Sequence, residues 1–332
     1  MSMRRNRHLL LAVIVAMAMV MVLAINLSAA MASNHRVEVT SGSRKAVLTS
    51  TEFSRMKPVS VRAAFLRTTG RIEGPSSYRV VSMADILAQV GGITAAQAIR
   101  VTSSDGYSMV YSYSQLQGNV LTYDDKGRAL KIGGVEMMLA LESDRDGAEK
   151  LPRIILADRG GVAITDGHYW AKSVAKIEVI DGVEDWVIKL DGVEKATLDR
   201  SAFESIVTCP STPHPCVQFT TTEKDGTKSV YEGTPLWIVL SMFDGGDSKG
   251  GHYVFNDALA KKGYTIRLTS SDGATVDFDS AQVARNNGII LAHVKNGEAL
   301  SASEGPLRVV GPDLPTKKHS LKQVVKITIM GF

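Results

Sequence analysis

The stretch Ile99-Arg-Val-Thr-Ser-Ser-Asp-Gly106 returns as Ile266-Arg-Leu-Thr-Ser-Ser-Asp-Gly273 with a single conservative change. Other matches keep the same order. Gly42, Lys45, Leu48 and Phe53 correspond to Gly192, Lys195, Leu198 and Phe203. Thr68, Thr69, Tyr78 and Leu87 correspond to Thr221, Thr222, Tyr231 and Leu240. Arg153-Ile-Ile155 corresponds to Arg308-Val-Val310, and Val174-Ala-Lys-Ile177 to Val324-Val-Lys-Ile327. A unit of about 145 residues is too long for a solenoid repeat, so the pattern predicts tandem globular domains. Their expected bounds are 34–181 and 182–332, after a separate segment 1–33. The join at Asp181-Gly182-Val-Glu-Asp185 is polar but short, so the two domains are expected to pack together. The main length difference, Gly245–Lys262, exists only in the second copy and reads as a surface loop.

Within each copy the pattern is mostly β. Val37–Val39, Lys45–Leu48, Ile99–Thr102, Val120–Tyr123, Arg153–Leu156 and Ile177–Ile180 are short β-branched runs bounded by turn residues. Ser82–Gln89 predicts a helix, with Met83, Ile86, Leu87 and Val90 on one stripe and Gly91-Gly92 as its stop. Pro235–Met242 predicts its partner, with Pro235 in the first turn. The Asp-Gly pairs at 105–106 and 272–273 predict hairpin turns. Short strands with one or two helices per copy give an α+β, mainly β, fold class.

The N-terminus carries Arg4, Arg5, Arg7 and His8, then an apolar run from Leu9 to Ile25, then Ala30-Met31-Ala32. That order is a signal peptide or a retained membrane anchor, and its length fits either. Both place the body outside the cytoplasmic membrane, periplasmic or at the cell surface, anchored or secreted. Without the three leader arginines the balance is near neutral, since the whole chain has 38 basic and 34 acidic residues. No basic run survives in the body, which excludes a nucleic-acid partner. Cys209 and Cys216 are the only cysteines, separated by a turn-rich Pro210–Pro215 segment. In an oxidising compartment they read as a disulfide.

The order of landmarks in the second copy resembles the oxidoreductase molybdopterin-binding domain of the sulfite oxidase family. Cys209 is followed by Tyr231-Glu-Gly233-Thr-Pro-Leu236, Leu240, Ser271-Asp-Gly273, Asn296-Gly297-Glu-Ala-Leu300, Gly305-Pro-Leu-Arg308-Val-Val-Gly-Pro312, Lys322 and Lys326-Ile-Thr-Ile329. The first copy is looser, with Ser104-Asp-Gly-Tyr107, Asp125-Lys-Gly127-Arg-Ala-Leu130, Arg153-Ile-Ile155 and Lys172-Ser-Val-Ala-Lys-Ile177. The resemblance implies two molybdopterin-binding-like domains. It implies Cys209 as a molybdenum ligand, and Arg308, Lys322, Tyr107, Arg153 and Lys172 as cofactor-binding residues. A thiolate suits a redox metal, and an arginine fork suits a phosphate. As a metal ligand Cys209 excludes the disulfide with Cys216, so the two readings compete.

The sequence also departs from that pattern. The second copy has Cys209, but Ala274 follows its Asp272-Gly273; the first keeps Tyr107, but has Val59 near the cysteine position. Catalytic residues are therefore not assigned. The expectation is a membrane-associated binding or interaction module with no cofactor, taking a small anionic ligand or a protein partner. The alternatives are a molybdenum-cofactor oxidoreductase using the second copy, and an envelope spacer.

Overall fold

The computed structural model describes residues 34–67, 69–145, 150–208, 216–223, 225–246, 248–249 and 252–332. The fold is mainly β. The first copy contributes β1 (Arg36–Ser41), β2 (Arg44–Thr49), β3 (Val59–Leu66), β4 (Ile72–Ser82), β5 (Gln97–Ser103), β6 (Ser108–Tyr111), β7 (Leu121–Tyr123), β8 (Ala129–Ile132), β9 (Glu136–Ser143), β10 (Arg153–Ala157), β11 (Val162–Asp166) and β12 (Val174–Asp181). Its helices are α1 (Ser50–Arg55), α2 (Met83–Ala88) and α3 (Tyr113–Leu116). The second contributes β13 (Val187–Asp191), β14 (Lys195–Asp199), β15 (Val217–Thr222), β16 (Lys228–Pro235), β17 (Ser248–Lys249), β18 (His252–Tyr253), β19 (Thr265–Ser270), β20 (Thr275–Asp279), β21 (Ile290–Lys295), β22 (Glu298–Ala299), β23 (Arg308–Val310) and β24 (Val324–Met330). Its helices are α4 (Arg200–Thr208), α5 (Leu236–Leu240), α6 (Asp257–Lys262) and α7 (Ser280–Val283).

Each copy builds two main sheets, and in the second β17 and β18 add a two-stranded one. One has the order β2-β1-β12-β5-β6 in the first copy and β14-β13-β24-β19-β20 in the second, strand for strand the same. The irregularities repeat too. Thr102 faces Lys176 and then Ser103 slips to Val174; Thr269 faces Lys326 and then Ser270 slips to Val324. The repeated Ser-Ser-Asp-Gly segments turn at Gly106 and Gly273, with φ of 90° and 88°, the left-handed region that glycine occupies at no steric cost. Alternation explains the burial: Val37 and Val39 are buried, while Arg36 before them and Glu38 between them are less so.

The other sheet runs β10-β9-β4-β3 in the first copy, and β15-β16-β21 with β23 beside β21 in the second. In both, the strand before the helix slips against its neighbour at the same place, between Arg79 and Val80 and between Glu232 and Gly233. The register then sets Arg153 opposite Ala140 and Arg308 opposite Ala292. The two arginines are thus structural counterparts.

Ser82 caps α2, accepting from the backbone N–H of Ala84, and the helix buries Met83, Ile86 and Leu87. Its counterpart α5, entered through Pro235, buries all five of its residues. The difference comes from the segment Gly245–Lys262, which is more than a surface loop. It brings Phe255 against Trp237, with ring centroids 5.9 Å apart, and puts Phe255 and Ala260 into the core. The buried Asp244 carboxylate anchors its start, accepting from the N–H groups of Gly246 and Asn256 at 3.0 and 2.9 Å.

The first copy extends its second sheet with β11, β7 and β8, and β11 lies parallel to β3. The second copy lacks this extension among the described residues. Where β11 follows β10, the second copy has Gly311-Pro-Asp-Leu-Pro-Thr316. Its two prolines supply no N–H to a ladder. Two sequence matches fail for related reasons. Asp125–Leu130 belongs to the β7–β8 hairpin, whereas Asn296–Leu300 follows β21, the counterpart of β9. Thr69 lies in the β3–β4 turn, whereas Thr222 ends β15.

The copies meet where α4 lies on β6. Arg200, 4% exposed, donates to the Val110 carbonyl from Nη1 and Nη2 at 3.2 Å, to Gln115 Oε1 at 3.1 Å and to Asp185 Oδ1 at 3.0 Å. Thr208 Oγ1 donates to the Ser108 carbonyl at 2.7 Å, and Ser112 Oγ to Asp185 Oδ2 at 2.6 Å. No helix among the described residues is long and apolar enough to cross a membrane. The apolar run Leu9–Ile25 lies outside them.

Candidate functional site

In the second copy, four charged side chains, Glu223, Lys295, Glu304 and Arg308, converge on Tyr231. Strand β16 presents Tyr231, the end of β21 presents Lys295, β23 presents Arg308, and Glu304 lies on the approach to β23. Arg308 Nη1 donates to Tyr231 Oη at 2.6 Å and to Glu304 Oε1, while its Nε and Nη2 donate to Ser320 Oγ at 3.3 and 3.2 Å. Lys322 Nζ stands 3.6 Å from Glu304 Oε1, and Lys295 Nζ 3.4 Å from Glu304 Oε2 and 3.2 Å from Glu223 Oε1. Both cations nearest the ring lie over it, Arg308 Cζ at 5.1 Å and Lys295 Nζ at 5.2 Å from its centroid.

The electrostatics follow from that crowding. Burial pushes the Glu304 carboxyl up, but Arg308, Lys295 and Lys322 together outweigh it and hold the group below the usual glutamate range. Hydrogen bonding to Tyr231 and Glu223, against some desolvation, holds the Lys295 ammonium well above the usual lysine value. Burial raises the Tyr231 phenol, opposed by the same cations. Arg308 and Lys322 are therefore brought together as the sequence suggests, but on a carboxylate of the chain itself. A phosphate placed here meets Glu304 already bound to the same cations. This donor set does not fit a pterin phosphate.

The first copy is different again. Arg153 is 2% exposed, and its guanidinium carbon lies 5.3 Å from the Phe65 ring centroid and 5.1 Å from that of Trp170. Its Nη2 also approaches the Trp170 carbonyl at 3.5 Å. Lys172 is exposed, and its carbonyl accepts from Ser103 Oγ at 2.5 Å. Tyr107 points to the junction, donating to Ser205 Oγ of α4 at 2.9 Å. The resemblance implies these three as cofactor-binding residues; in the structure each makes contacts of its own.

Cys209 lies outside the described residues, so its assignment as metal ligand and its pairing with Cys216 lie outside them too. Cys216 is exposed at the start of β15, and partial burial together with Glu232 raises its thiol above the usual value. Among the described residues no three His, Cys, Asp or Glu side chains are arranged to hold a metal ion.

Sequence reasoning missed Glu304, Lys295 and Glu223. No motif marks them, because Glu223 is far in sequence from Lys295 and Glu304, and the three meet on Tyr231 through the β16–β21–β23 pairing. The one available signal was Tyr231, whose repeat partner Tyr78 is also buried. No protein-family model matches the chain, and a search of curated proteins returns no match.

Proposed function

We propose that this protein is an extracytoplasmic, membrane-associated interaction module, built from two domains of sulfite-oxidase type that do no redox chemistry of their own. One observation carries the reading. The arginines that the resemblance assigns to a cofactor are each used by the fold, Arg308 by Glu304 and Ser320, Arg153 by Phe65 and Trp170. Arg308 is ion-paired to Glu304, and Arg153 is buried against two rings; a guanidinium engaged in this way has less left for an incoming anion. Protein partners therefore take precedence over a small anionic ligand. Cys209 and Cys216 form a disulfide in this reading, and the leader delivers the body across the membrane.

Expression with the native leader, in a host that makes and exports molybdenum cofactor, tests the proposal. Molybdenum per chain is measured by elemental mass spectrometry, and intact mass with and without reductant. The expected result is molybdenum far below one per chain, with a mass that rises by two hydrogens on reduction. Stoichiometric molybdenum with unpaired thiols would instead support the oxidoreductase reading and overturn this one.

A further inference from the structure

A sheet edge exposes a row of unpaired N–H and C=O groups, and proteins protect such edges with charge, proline or a cover. Among the described residues the edges follow that rule with one exception. Strand β2 carries Arg44 and Lys45, β14 carries Lys195 and Asp199, β20 carries Asp277 and Asp279, and β8 carries Lys131. The uncharged β6 is covered by α4 of the other copy, through Thr208 and Arg200. Strand β10 is buried along its whole length. Strand β15, Val217-Gln-Phe-Thr-Thr-Thr222, has no charge and no proline, and Gln218, Thr220 and Thr222 are exposed. Its inner side pairs with β16, and among the described residues no strand lies on its outer side.

The first copy shows what belongs there. Its counterpart strand β3 also pairs with the strand before the helix, Val61 opposite Tyr78 as Phe219 is opposite Tyr231. The outer side of β3 is filled by β11, parallel, with Val162 opposite Arg62 and Asp166 opposite Leu66. In the second copy Pro312 and Pro315 stand where that filling strand would form. The docking surface is pre-shaped as well: Val217 and Phe219 pack on Tyr231, Ile290, Ala292 and Val310, so β15 is held as a strand with no outer neighbour among the described residues.

We infer that the outer edge of β15 is a strand-addition site, which takes an extended, uncharged, β-branched segment of a partner protein in the place β11 occupies on β3. Main-chain hydrogen bonds supply the affinity in this mode of recognition, and alternate side chains the specificity. An uncharged edge selects an uncharged segment, because a charged one loses hydration here without gaining a partner. The inference rests on the proposed interaction role and names its partner class.

The probe is a capped peptide copying Gly160–Gly167, which contains β11, with Asp166→Asn so that the segment is uncharged. It is titrated against the full exported chain by fluorescence anisotropy, with hydrogen exchange followed across residues 216–223. The expected result is saturable binding that slows exchange in Val217–Thr222 and leaves β20 unchanged. The same peptide N-methylated at alternate residues should not bind, and Thr220→Lys, at an exposed position, should weaken binding roughly tenfold. Absence of protection at β15 would overturn the inference, as would equal binding of the N-methylated peptide. Slow exchange of β15 in the free protein together with a concentration-dependent dimer would also overturn it, by showing a second copy in the place. Molybdenum content is read separately. A chain that carries molybdenum and still binds the peptide contradicts only the non-redox reading, and a molybdenum-free chain that does not bind contradicts only this one.

Discussion

Two side chains in the second copy carry charge behaviour that can be measured. His293 sits at the bulge in β21, the position Leu141 holds in β9. Its ring stacks edge-on to Phe203 at 5.2 Å, and burial pushes its pKa down to about 4. An unfolded histidine titrates near ~6.5. Between those values the unfolded chain binds a proton that the folded chain does not, so stability falls as pH drops from about 6.5 towards 4, by on the order of 3 kcal/mol. His293→Leu, which borrows the first copy's residue, should flatten that part of the curve. Denaturant melts from pH 7 to pH 4 check this, and an unchanged slope in the variant would contradict it. Glu304→Gln leaves Arg308, Lys295 and Lys322 facing one another with only Glu223 between them. We expect a loss of about 1–3 kcal/mol. Phosphate should then raise the melting temperature of the variant and not of the wild type, because removing the internal carboxylate frees its cations.

At the scale of elements, the strands were legible because hydrophobic alternation and glycine turns are local signals. Ser82–Gln89 announced α2 through its cap, its apolar stripe and its glycine stop, and Pro235 marked the entry to α5. The use of Gly245–Lys262 was not legible. Its glycines and charges suggest a loop, yet Phe255 and Ala260 within it cover the outer face of α5, and that becomes visible only when Trp237 is seen to need a partner. Phe255→Ala should cost about 3–5 kcal/mol if the segment is part of the core, as the geometry requires. Urea unfolding checks this, and a cost below about 0.5 kcal/mol would return the segment to the surface. The missing β11 counterpart was legible in principle, as two prolines in place of a β-branched run. The functional residues were harder, since the Arg308 and Lys322 pairing is a motif but the Glu304 that neutralises it belongs to no pattern.

The whole molecule is a repeat that has diverged in what covers it. The first copy closes its second sheet with its own strands; the second uses its extra residues for a helix cover, and among the described residues no strand lies outside β15. Arg200 joins the two copies, buried and bonded to both sides of the junction. The short join predicted packing, but which residue does it could not be read, because Arg200 resembles any helix-start cation. Arg200→Ala removes one partner of a buried network and should cost about 3–5 kcal/mol. In calorimetry we expect one transition for the wild type and two for the variant, and protease should gain access to Gly182–Asp185 in the variant. A single, unshifted transition would mean that the copies are coupled by other contacts.

The most direct test of the central claim is the molybdenum content of the chain purified from a cofactor-exporting host, measured beside its capacity to accept electrons. A module whose arginines serve its own fold carries molybdenum far below one per chain and accepts no electrons. About one molybdenum per chain, lost on Cys209→Ala, would contradict the account and place a working redox centre in the second copy.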